Sequence, residues 1–223
     1  MPAAYVAIGS SITAVVLLLS LHVLSPEFSP AWRMVSEYAN GRYEFVLSLM
    51  FDAYGLAILA LAFAIRSELR TRTARIGLGG LVASGIAATS ASVFDINQEA
   101  LHELAGAIGI VGLPVAAVLI TQSLSATPEW APASRLLRWT AHATWISVGL
   151  WALSFVVMVV SFVHVLGSLP ASVSSQVPPG AIALVGWTNR LFVICAWAWV
   201  ALTAGYTIRI SRSASALPRV PVI

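Results

Sequence analysis

Lysine is absent from this chain, and charge of either sign is scarce. Only 9% of the 223 residues are charged, against roughly 25% in a soluble domain. So few charges cannot clothe a water-exposed surface, which excludes an ordinary soluble fold. The single cysteine, Cys195, excludes an intrachain disulfide and any cysteine-based metal motif. No phosphate loop, dinucleotide fingerprint, serine-hydrolase elbow, HExxH pair or calcium loop occurs. Residues 5–24 lack a basic leader and a small-x-small cleavage site, so they read as a retained helix rather than a signal peptide. The net charge of +3 follows topology rather than forming a patch, and nucleic-acid binding is not expected.

What is plentiful is apolar: 59% of residues are hydrophobic and the mean hydropathy is +0.88. Six apolar runs, at about 5–24, 43–65, 76–94, 100–124, 139–166 and 187–208, are long enough to cross roughly 30 Å of hydrocarbon as helices. They are continuous rather than alternating, and an open sheet cannot satisfy its edges in lipid. The expected fold is therefore all-α: one transmembrane domain over 1–223, an integral membrane bundle of about six helices.

The arginines assign its sides. Arg66, Arg70, Arg72, Arg75, Arg135, Arg138, Arg209, Arg212 and Arg219 fall on one side, and Arg33, Arg42 and Arg190 on the other. The positive-inside rule then puts both termini in the cytoplasm, as an even number of crossings requires. Most acidic residues collect at the opposite, outer ends. The all-Arg basic set with an Ala/Val/Leu/Gly excess suggests a GC-rich bacterial genome, hence a bacterial plasma (inner) membrane. A short interfacial helix is expected around 31–38, and the 167–186 connection, with Pro170, Pro178 and Pro179, reads as a flexible connector or a cover for the outer face. Trp130, Trp139, Trp145 and Trp187 are placed in the interfacial aromatic belt. Gly80, Ser84, Ala88 and Ser92 form a four-residue stripe suited to close helix packing. Pro114 should kink the fourth helix by leaving the Ile110 carbonyl without its usual donor.

Two short motifs stand out. Val35-Ser-Glu-Tyr-Ala-Asn-Gly-Arg-Tyr43 opens the second helix; Phe94-Asp95 ends the third, and Leu101-His102-Glu103 follows at the start of the fourth. With this helix count, they resemble the bacterial membrane proteins grouped as DUF998, whose pattern is (I/V)SEYA-x-G-x-(Y/F) followed by FP(T/C)D and a histidine. Ser92-Val93 depart from the usual Phe-Pro, and the spacer from Asp95 to His102 is short. The resemblance implies the architecture and points to residues; it implies no reaction.

Ionisable groups near membrane depth are costly and each calls for a reason. Topology brings His22, Asp95, Glu99, His102, Glu103, His164, Asn189 and Arg190 to one level, with Asp52 deeper. Three readings compete. In one, Asp52, Asp95, His102 and Glu103 are acid–base groups acting on a lipid or isoprenoid, with Glu37 and Arg190 binding it. In another, His22, His102 and His164 hold zinc, three imidazoles leaving a position for water; a haem between His102 and His164 has only two lone histidines behind it. In the third, the charges pair among themselves: Arg190 neutralises Asp95 or Asp52, and Asp95 caps the fourth helix. A non-enzymatic subunit packing against a transporter or biosynthetic membrane partner is the alternative to an enzyme. The cofactor, if any, stays unassigned.

Overall fold

The computed structural model describes residues 1–168 and 176–216. Six long helices dominate: α1 (Pro2–Leu24), α2 (Glu44–Ile65), α3 (Arg72–Val93), α4 (Glu99–Leu124), α5 (Ser134–Leu166) and α6 (Val185–Ala216). Each contains a span long and apolar enough to cross a membrane, and no strand occurs among the described residues. The chain is thus an all-α integral membrane bundle. Successive helices alternate in direction. The α1–α2 and α3–α4 connections, the end of α5 and the start of α6 share one end, called the upper end below; the start of α1 and the last turns of α6 share the other, where Arg212 donates to the Tyr5 hydroxyl.

The buried faces follow from sequence spacing. α1 buries Ala4, Ala7, Ser11, Ala14, Leu18 and Leu21, an alternation of three and four residues that keeps one seam on a neighbouring helix. α3 repeats it with Ala74, Gly77, Leu81, Ser84, Ala88 and Ala91. Small residues dominate both seams because apolar lipid gives helices little hydrophobic reason to associate, so close backbone approach must supply the attraction. The α3 stripe serves two neighbours. Gly80 and Ser84 lie against Gly112 of α4, whereas the Ser92 hydroxyl donates to Asp52 of α2 at 2.6 Å. Deep in the bundle, the Trp199 indole donates to Thr121 Oγ1 at 3.0 Å, tying α6 to α4.

α4 keeps its helical assignment from Glu99 to Leu124 with Pro114 inside it. Expectations for the connections need correction. The upper connection holds a 3-10 helix at Val35–Asn40, several residues later than the 31–38 expected. A second one, Pro128–Ala133, has no counterpart in the hydropathy reading. It carries Trp130, which is 2% exposed: this tryptophan is packed inside the protein and does not belong to an interfacial belt. Pro170 lies outside the described residues. After Pro179 the chain runs along α5, where the Ile182 amide donates to Ser161 Oγ at 2.8 Å.

Candidate functional site

At the upper end the SEYA segment is clamped onto α6. Arg190 is only 4% exposed. Its Nε donates to His22 Nε2 at 2.7 Å. One terminal nitrogen donates to the carbonyls of Arg33 at 2.7 Å and Gly186 at 3.0 Å, with a longer contact to Pro30 at 3.4 Å. The other reaches the Tyr38 hydroxyl at 3.2 Å. Beside it, Asn189 Oδ1 accepts the Val35 amide at 3.0 Å, and the Gly186 amide donates to the Ala31 carbonyl at 3.1 Å. Gly186 is required here by proximity: a Cβ would sit 2.7 Å from the Arg33 carbonyl oxygen and 2.8 Å from the Trp32 amide nitrogen.

Arg190 therefore pairs with neither Asp52 nor Asp95. Its partners are a histidine, a tyrosine and main-chain carbonyls. His22 Nδ1 faces the Leu18 carbonyl at 2.7 Å, and a carbonyl only accepts, so Nδ1 carries the proton. Nε2 then offers the lone pair that Arg190 uses, and the ring is neutral. Both nitrogens are occupied. Glu37, 9% exposed, is likewise engaged: one oxygen meets Arg33 at 2.5 Å and the other accepts the Met34 amide at 2.7 Å. Glu37 and Arg190 thus build the upper connection and are not displayed to a ligand.

Next to this clamp lie two adjoining cavities. The larger, about 480 Å³, is bounded by α2, the α3–α4 turn and the 3-10 helix, with Ser36, Glu44, Ser92, Asp95 and His102 among its walls. The smaller, about 120 Å³, lies among α2, α3, α4 and α6, with Tyr54, Ala88, Gly106, Gly109 and Asn189 in its lining. Ser36, Phe51, Ala91 and His102 wall both. The room comes from small residues: a Cβ on Gly106 or Gly109 would meet nothing within 4 Å.

His102 is held by its own turn. Its Nδ1 donates to the Phe94 carbonyl at 2.9 Å, which leaves Nε2 without a protein partner and, in the neutral tautomer, with a free lone pair. Asp95 Oδ1 accepts the Asn97 amide at 2.8 Å; it braces the turn rather than capping α4, whose N-cap is Gln98. Asp52 is exposed beside Ser92, while Glu103 and His164 are exposed and wall neither cavity. The structure brings His102 and Asp95 to one cavity. It does not assemble His22, His102 and His164, and no group of three potential metal ligands occurs among the described residues. Sequence reading missed Tyr54, ten residues into α2 and 9% exposed, because an apolar helix gives no sign of which tyrosine faces a cavity.

The family model described as a protein of unknown function, DUF998, matches residues 7–206. No curated protein and no solved structure matches the chain.

Proposed function

Because the chain belongs to the DUF998 family, whose description carries no activity, we propose a function from geometry: the bundle binds a lipid or isoprenoid at its upper end, with Asp95 and His102 at the polar group of the ligand. The observation that carries this reading is that His102 walls both the polar-mouthed cavity and the apolar one behind it. A ligand with a polar end and an apolar tail fits that division. A neutral imidazole with a free Nε2 beside a carboxylate is suited to take a proton from a hydroxyl, which makes His102 the candidate general base and Asp95 its electrostatic partner. Asp52, exposed and held by Ser92, is the next candidate. In this reading both termini face the cytoplasm of a bacterium, and the site opens to the outer leaflet of its plasma membrane.

Native mass spectrometry of the detergent-purified protein tests the binding claim. We expect co-purified lipid on the wild type, its loss in Gly109→Phe, and at least a several-fold drop in His102→Ala. Equal lipid occupancy in all three proteins would sink the proposal. A comparison of lipid extracts from cells with and without the gene then tests for turnover. The alternative, a subunit that packs against another membrane protein, draws on α5, which is the least buried of the six spans and would carry the interface.

A further inference from the structure

Resting on that lipid-binding reading, we infer that the polar end of the ligand is a hydrogen-bond donor without negative charge, a long-chain alcohol or amine rather than a phosphorylated lipid. The charged groups walling the two cavities are the carboxylates Glu44 and Asp95, and no arginine walls either one. The nearby arginines lie outside both walls. Arg190 is turned to His22, Tyr38 and main-chain carbonyls. Arg33 is paired with Glu37, and Arg42 is exposed with its guanidinium over the Tyr43 ring. A phosphate in the larger cavity would meet two carboxylates with no arginine in the wall to offset them.

The free polar atoms fit a donor instead. The Asp95 and Glu44 carboxylates accept, and so does His102 Nε2 in the neutral tautomer. Helix starts attract anions, but α2 and α4 already open with Glu44 and Glu99, which answer those dipoles from within the chain. A second observation says that the inner cavity is meant to be filled. The Tyr54 side chain is more than nine-tenths buried and lines it, yet its hydroxyl has no hydrogen-bond partner among the described residues. The hydroxyl is not among the fully buried polar atoms left without a partner, so it faces the cavity space, where a polar group of an occupant can meet it. Tyr54 is ten residues from Glu44, or about 15 Å along the helix, so the occupant reaches well below its polar end.

The test uses the full chain in detergent and a photoreactive dodecanol carrying a diazirine near its tail. Competitors are dodecanol, dodecylamine and monododecyl phosphate, which share a chain and differ in the head. We expect crosslinks on α2 and α4 peptides, displaced by the alcohol or the amine at concentrations at least tenfold below those needed for the phosphate. Preference between alcohol and amine distinguishes the two donor classes. The double variant Glu44→Gln/Asp95→Asn should bring the phosphate to within about threefold of the better competitor. Displacement by the phosphate as effective as by both others, with labelling still abolished in Gly109→Phe, overturns the head-group inference and leaves the lipid site standing. Labelling that Gly109→Phe does not reduce, or that never reaches α2 or α4, overturns the lipid site itself.

Discussion

A guanidinium has five N–H donors and cannot shed its charge, so an arginine buried at a membrane helix end must be surrounded by acceptors. Arg190 meets that demand with His22, Tyr38 and carbonyls of residues 33 and 186. A lysine has three donors on one atom and cannot span the same set. Arg190→Lys should therefore leave buried acceptors unmatched and cost about 2–5 kcal/mol, lowering the thermal midpoint in detergent by on the order of 10 °C. An unchanged midpoint in a thermal-shift assay would remove the clamp from the account of stability. The same residue shows why its role was hard to read in advance. Charge alone suggests a carboxylate partner for Arg190. The actual partners come from α1, the 3-10 segment and α6, up to 168 residues apart in sequence, and no spacing rule reports them.

At the scale of helices, glycine separates contact from vacancy. Gly55 of α2 lies so close to α3 that a Cβ would come within 2.8 Å of the Gly85 carbonyl oxygen. Gly55→Ala must push the two helices apart, and overpacking of this kind costs about 1–3 kcal/mol. Gly9 of α1 has nothing within 4 Å of a built Cβ; Gly9→Ala should be neutral or stabilising by up to about 1 kcal/mol through helix propensity. Comparing the thermal midpoints of the two variants checks the pair, and a loss at Gly9 equal to that at Gly55 would contradict this packing. The small-residue stripe on α3 was legible as a packing face because its period matches the helix. Which neighbour each member meets was not, since Ser84 turns to α4 and Ser92 to α2.

For the whole molecule, the arginine asymmetry predicts the orientation. In a Cys195→Ser background, Asn97→Cys should react with a membrane-impermeant maleimide in intact cells, and Glu129→Cys only after the cells are opened. The reverse pattern would invert the bundle. Hydropathy by itself determined the all-α class, the six spans and their order, because a bilayer forces long apolar runs into helices that satisfy their own backbone. The motif residues fall together at the upper end of the bundle. Only the tertiary structure decided what they do there. It turned Glu37 and Arg190 inward as a clamp, left Glu103 and His164 outside the cavities, kept the three histidines apart, and put Asp95 and Tyr54 on two adjoining cavities that share His102 as a wall. The physical reason is rotation about each helix axis: hydropathy is nearly uniform around these spans, so the face a side chain presents is set by neighbours that the linear pattern does not name.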